Sequence, residues 1–440
     1  MDPMHLAIGS FAVLLLLIFL GIPIALAMLV IGLFGAWFIY GSIDPLLYQL
    51  NQLAYSTFST HSLSIIPLFL LMGQLATVGG MSKALFRAAE AFIGHRKGGV
   101  AMSAIGACAG FGAICGSSLA TAATMGQVAL PELRRAGYAG GLATAALAAG
   151  GTLGILIPPS IVLVIYAILA EQNIASMFAA AIVPGALAAL GYMLVVSVVV
   201  RLNPALAGNI ERASSQARWQ ALRDIWPVVV IFVVVIGGIY TGVFTPTEGA
   251  AVGVLTTGVL AWRRGGITRE SAKRMLQGTA TGTAMVFFIV LGAAAFNTFL
   301  ALSQMPQELA AWIGTLQVSP YVVLVAILLF YLLLGCVMDS LSMILLTIPI
   351  LFPVVSVLDF GLPPEQAAIW FGILVLIVVE VGLITPPVGM NLFIIQSMAP
   401  DVPMQATYRG VLPFVLSDLL RVALLVAVPG LTLWLPQLML

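Results

Sequence analysis

Gly154-Ile-Leu-Ile-Pro158-Pro159 and Gly382-Leu-Ile-Thr385-Pro386-Pro387 are nearly the same string, and each interrupts a long apolar segment at its middle. Paired prolines remove two backbone donors and cannot continue a helical ladder, while the nearby glycine adds conformational freedom. The break leaves carbonyls without partners. Inside hydrocarbon such carbonyls are tolerated only where they are buried in protein or line a watery cavity. Two matching breaks in one chain imply two half-sites of one binding site, an arrangement typical of secondary transporters.

The rest of the chain agrees with a membrane setting. Of 440 residues, 61% are hydrophobic and 8% charged, at a mean hydropathy of +1.14, whereas a soluble domain is about 25% charged. A net charge of +1 offers no concentrated basic face, which argues against a nucleic-acid partner. The opening Met1-Asp2-Pro3-Met4-His5 has no positive n-region, so the first apolar run is expected to stay as a helix rather than be cleaved. Cys108, Cys115 and Cys336 show no metal or redox spacing and are expected to be free thiols.

Charge sets the topology. Lys and Arg up to Arg274 fall in four stretches, Lys83 to Lys97, Arg134 with Arg135, Arg201 to Arg223, and Arg263 to Arg274, all cytoplasmic by the positive-inside rule. Counting segments against the roughly 20 residues a span needs gives spans at 6–20, 24–40, 64–78, 178–200, 225–243, 249–262, 284–302 and 410–435. The broken segments 138–169 and 367–398 bring the expected total to ten. This parity predicts a periplasmic N-terminus. Between Lys97 and Arg134, both cytoplasmic, the chain cannot cross an odd number of times. The stretch is interrupted at its centre by Gly110-Phe-Gly112-Ala-Ile-Cys115-Gly116-Ser117-Ser118, so its arms read as only about ten to fifteen residues each, and 98–133 is expected to be a re-entrant hairpin with Gly116-Ser117-Ser118 at its tip. A second hairpin, 320–357, is centred on Met338-Asp339-Ser340-Leu-Ser342 and entered from outside.

The predicted fold is therefore an all-α polytopic membrane protein of ten spans and two re-entrant hairpins. Its two halves share one order, span, hairpin, broken helix, span, but open to opposite sides. This is an inverted-topology repeat, the commonest plan for secondary transporters. Gly73 and Gly292, and likewise Gly116 and Gly335, differ by 219 (292 minus 73; 335 minus 116), and the proline pairs by 228 (386 minus 158). The division expected is N-terminal scaffold helices in 1–60, one transport repeat in 61–202, central scaffold helices and a cytoplasmic arm in 203–278, and a second transport repeat in 279–440. Within the arm, 268–279 reads either as a surface helix meeting anionic headgroups or as a solvated loop.

Three constellations could carry chemistry. Gly116, Ser117 and Ser118 join a flexible tip, two hydroxyls and a half-helix N-terminus, which suits a sodium ion through oxygens or a carboxylate through amides and dipole, though a plain N-cap looks the same. The breaks supply unwound carbonyls around Gly154 and Pro158 and around Gly389, with side-chain oxygens from Thr385 and Asn391. The alternative is a ligand-free proline kink. Asp339 is an acid at membrane depth, where ionisable groups are costly and usually functional; it could hold a cation, take a proton or cap the helix that follows. Glu380 is the next acid, facing either the site or a helix interface. Asp418 and Arg421, three apart, are expected to pair with each other or with a neighbouring subunit. No Walker loop, hydrolytic triad or redox-metal set is present, so the chain is not expected to be an enzyme.

At Cys115-Gly-Ser-Ser-Leu-Ala-Thr-Ala-Ala-Thr-Met-Gly126, Pro131 to Tyr138, Gly150-Gly-Thr-Leu-Gly-Ile-Leu-Ile-Pro-Pro-Ser160, Met338-Asp339-Ser340 and Gly382 to Asn391, the chain resembles the large membrane subunit of tripartite ATP-independent periplasmic (TRAP) transporters. The resemblance covers nearly the whole length. It implies the elevator-type membrane subunit of a sodium-driven importer in the bacterial inner membrane, working with a small four-helix membrane subunit and a periplasmic substrate-binding protein. The cargo implied is a carboxylate such as a C4-dicarboxylate or sialic acid, without an organic cofactor. It also implies sodium sites at Ser117, Ser118, Gly154, Pro158, Asp339, Ser342, Thr385 and Gly389, with substrate near Gly116, Ser117, Ser118, Ser340, Thr385 and Asn391. One departure is visible: many members carry Ser-Gly-Ser at the first tip, and here Cys115 takes the first place, a poor ligand for a hard cation. The competing readings are a stand-alone or tripartite tricarboxylate-type symporter and a structural or proton-conducting respiratory subunit. The second expects lysines within spans, and none occurs between Lys97 and Lys273.

Overall fold

A computed structural model describes residues 3–42, 44–208, 210–316 and 318–439, which are helical with no strand among them. Met1 and Asp2, part of the N-terminal reading, lie outside the described residues. Six helices are long and apolar enough to cross a bilayer, and the pair Gly140–Leu156 and Ile161–Leu169, bent by 45°, makes a seventh. Pro3–Phe19 and Ile24–Tyr40 are apolar but just short of that length.

Both expected hairpins are present. The first consists of Gly99–Cys115 and Ser118–Arg135, the second of Pro320–Gly335 and Ser340–Ser356. Their arms are longer than the ten to fifteen residues expected. At 17 and 18 residues in the first hairpin, they run about 25 Å at 1.5 Å per residue. Gly110 and Gly112 do not end the helix, because it is held by packing: a Cβ on Gly112 would stand 2.6 Å from the Cα of Gly154. Glycine here buys close backbone approach rather than a turn.

Each hairpin lies on its own broken helix. The first packs on Gly140–Leu156 with its break before Ile161–Leu169; the second packs on Pro364–Gly382, whose break precedes Met390–Met398. A Cβ on Gly382 would stand 2.5 Å from the backbone of Gly335, the counterpart of the Gly112–Gly154 contact. This corrects the pairing by the 219 offset. Gly335 matches Gly112 (335 minus 112, 223), and the helix-capping Asp339 matches Ser117 (339 minus 117, 222). Gly73 faces Cys115 at the first tip, whereas Gly292 faces the carbonyl oxygen of Ala25.

Around this core, Arg269–Leu302 packs along Ile24–Tyr40, and Ile65–Val78 along Pro246–Arg263. The segment 268–279 is neither a separate surface helix nor a loop. Thr268 opens a capping box with Ser271, and the helix then continues for 34 residues, about 51 Å, since propagation costs far less than a new nucleus. Helices at Asp44–Phe58 and Met305–Thr315 were not anticipated. The last expected span is split into Met404–Ala427 and Gly430–Met439 at Pro429, which has no N–H to donate.

Candidate functional site

The two hairpin tips meet. Gly116, Ser117 and Ser118 from the first, and Asp339, Ser340 and Leu341 from the second, line one cavity of about 130 Å³, closed by Ile155, Ile161 and Val162 of the first broken helix and by Leu70 and Val286 of the surrounding helices. At roughly 30 Å³ per liquid water, this is room for a few waters or a very small ligand, below the 300–1,000 Å³ of ordinary ligand pockets.

Local sequence explains each tip. Gly116 takes φ +63° to turn the chain, and its α-carbon sits over the break, where an added Cβ would lie 3.0 Å from the carbonyl oxygen of Pro159. Ser117 is the N-cap of the returning arm, accepting the amide of Ala120 at 3.4 Å. At the second tip Asp339 is the N-cap; it accepts the amide of Ser342 at 3.0 Å and the Ser342 hydroxyl at 2.5 Å. Of the three roles open to Asp339, capping is thus visible. The second break closes on the second tip through the amide of Gly389, which donates to the carbonyl of Cys336 at 3.1 Å.

Glu380 joins the two halves. It is 1% exposed; Ser118 Oγ donates to its Oε2, and Ser340 Oγ donates to its Oε1 at 2.7 Å. Of the two faces open to it, it takes the one toward the tips, and from the second broken helix it grips one serine of each hairpin. Asn391 also crosses between halves, its Nδ2 donating to the carbonyl of Ala148 at 3.3 Å. Thr385 donates to the carbonyl of Val381 at 2.6 Å. Neither Thr385 nor Asn391 lines the cavity, nor do Gly154, Pro158, Ser342 or Gly389; Ser342 lies in the first turn of the second hairpin's returning arm, and the others lie at or beside the breaks.

A second polar group was not foreseen. Thr121 Oγ1 is buried without a hydrogen-bond partner among the described residues, as is Asn391 Oδ1. A Cβ on Gly154 would lie 2.5 Å from that threonine oxygen and 2.7 Å from the carbonyl oxygen of Ser117. Oxygens gathered in a dry place, one of them unpaired, suit a hard cation. The spacing Ser118 to Thr121, three apart on one helix face, was the available signal.

Behind the first break lies a buried ion pair. Asp418 and Arg421 do pair with each other, at 2.9 Å, with side chains 1% and 5% exposed. The contact is close but poorly aligned, Arg421 Nη2 and Asp418 Oδ1 having no hydrogen bond. Tyr192 OH donates to Asp418 Oδ2 at 2.6 Å and lies 3.0 Å from Thr152 Oγ1 beside the break. The three cysteines are free and buried.

Paired hairpins seated on paired broken helices define a membrane permease of the secondary-transporter class. Residues 11–431 match the family described as tripartite ATP-independent periplasmic transporter, DctM component. The chain belongs to this family, the TRAP transporter large permeases. It is 36% identical over 407 residues to the C4-dicarboxylate TRAP transporter large permease protein DctM of Pseudomonas aeruginosa, covering 90% of this chain and 92% of that one. It is 31% identical to the sialic acid permease SiaM of Vibrio cholerae (98% and 99% covered) and 30% identical to the ectoine permease TeaC of Halomonas elongata (96% and 97%). Among solved structures it is similar in fold to the Alcanivorax borkumensis YdaH transporter, at a TM-score of 0.66, 16% identity and coverage of 88% and 89%.

Proposed function

We propose that this permease imports a small organic carboxylate together with sodium, taking the cargo from a periplasmic binding protein and working beside a small membrane subunit. The observation that carries this reading is the convergence of both tips, through Ser117, Ser118, Asp339 and Ser340, on one cavity beside the first helix break, with the second break tied to the second tip through Gly389. Hydroxyl and carbonyl oxygens there suit sodium, and half-helix N-termini suit a carboxylate. The three relatives above are named for C4-dicarboxylates, sialic acid and ectoine, and each of those compounds carries a carboxylate.

In this reading the hairpins and broken helices form a transport unit that slides as one body against the scaffold helices of 1–60 and 203–278. The interlocking by Glu380 and Asn391 supports a single moving body. The N-terminus faces the periplasm, and the basic clusters face the cytoplasm.

The test is uptake of labelled succinate, sialic acid and ectoine into proteoliposomes holding both membrane subunits. Uptake of at least one is expected to need both an inward sodium gradient and the binding protein. Uptake without the binding protein points to a stand-alone symporter, and uptake driven by a proton gradient alone refutes sodium coupling.

A further inference from the structure

We infer that Glu380 is a positioning residue that fixes the hydroxyls of Ser118 and Ser340 as acceptors toward the cavity, reserving both side chains for a cation rather than for the carboxylate of the cargo. The inference rests on the sodium-coupled reading above. A serine hydroxyl has one proton and two lone pairs. Here Ser118 and Ser340 direct that proton to the same carboxylate, Ser118 to Oε2 and Ser340 to Oε1 at 2.7 Å, while both residues line the cavity. Only lone pairs remain for an occupant. Lone pairs hold a sodium ion and repel a carboxylate. A cargo carboxylate must therefore use backbone amides at the half-helix N-termini.

Glu380 does not line the cavity and acts through the two serines. It forms none of the ion pairs found among the described residues, so its partners there are hydroxyls. The arrangement is also symmetric: Ser118 and Ser340 are each the first residue of a returning arm. One carboxylate thus gives the same polarity to both halves of the site.

The experiment is sodium titration of uptake by the whole transporter in proteoliposomes. Glu380→Gln keeps the side chain's size, but its amide donates to one serine and turns that serine's proton toward the cavity. The sodium concentration for half-maximal uptake is expected to rise at least about tenfold, while half-saturation by cargo-loaded binding protein moves less than about threefold. Glu380→Asp, which restores the charge, is expected to recover part of the sodium affinity. A purely structural role would lower yield and maximal rate and leave sodium half-saturation unchanged; that result overturns the inference. Should Glu380→Gln fail to accumulate, Ser340→Ala must raise sodium half-saturation and Ser340→Thr, which keeps the hydroxyl, must restore it; equal values in the two overturn the inference. Sodium-independent uptake by the unaltered transporter removes the parent reading, whereas sodium-dependent uptake with an unchanged Glu380→Gln titration removes this assignment alone.

Discussion

Removing either member of the Asp418–Arg421 pair should destabilise the protein far more than removing both. The side chains are 1% and 5% exposed and 2.9 Å apart, so neither charge can turn to water. Two charges about 4 Å apart attract by roughly 4 kcal/mol at an effective dielectric of 20, but each loses several kcal/mol of hydration on burial. The pair is close to neutral against an apolar substitute. A lone member is not. Asp418→Ala leaves Arg421 stacked over the Tyr192 ring, 5.8 Å from its centroid, with no anion; Arg421→Met leaves Asp418 with the Tyr192 hydroxyl. Each single change should cost about 3–5 kcal/mol and the double change less than about 2 kcal/mol. Reversible unfolding in mixed detergent micelles measures all four proteins and gives the coupling directly. Singles costing under about 1 kcal/mol, or a double equal to their sum, would rule out a coupled buried pair.

The glycine contacts make a second prediction. Gly154→Ala meets Thr121 Oγ1 at 2.5 Å and Gly382→Ala meets the backbone of Gly335 at 2.5 Å, so each should cost about 1–3 kcal/mol and depress uptake per molecule. Gly237→Ala, which meets nothing within 4 Å, is the neutral control, and three equal melting curves would contradict the packing. Glu90 supplies a pH test at the base of the first hairpin. Burial first, then the neighbouring Glu132, raises its carboxyl above the ordinary range. A raised folded pKa contributes stability below the unfolded pKa and loses it as pH rises through the folded value. Glu90→Gln should therefore melt higher than the parent at neutral pH, with the gap closing on acidification into the carboxylate range; a gap independent of pH would refute this. Asp339→Asn keeps a good N-cap and removes only the charge, so membrane insertion should be normal and sodium-dependent uptake weakened, as measured by initial rates.

Much of the fold was legible because its strongest signals are local. Two proline breaks, a glycine-serine tip and the spacing of basic clusters require no knowledge of distant contacts, and they located both hairpins and both broken helices. Arm length is not legible locally: propensity reads Gly110 and Gly112 as an interruption, whereas packing of Gly112 on Gly154 and of Gly110 on Leu85 keeps both helical. The Asp44–Phe58 helix escaped because its sequence is mixed rather than continuously apolar. At the site, tip residues were legible from their caps, but the direction of Glu380 was not. Its partners are 262 and 40 residues away in sequence, and nothing near Glu380 names them. Asp418 and Arg421 show the contrast: an i, i+3 pair is readable, while its third member, Tyr192, is 226 residues distant.

Both hairpin tips are expected to serve one site. The most direct measurement is an electron cryo-microscopy map of the transporter in lipid nanodiscs with saturating sodium and a transported carboxylate. Cargo density is expected between Gly116–Ser118 and Asp339–Leu341, with cation density on oxygens of the tips and adjoining breaks. Cargo bound elsewhere, with the tips still closed on an empty cavity, would contradict it.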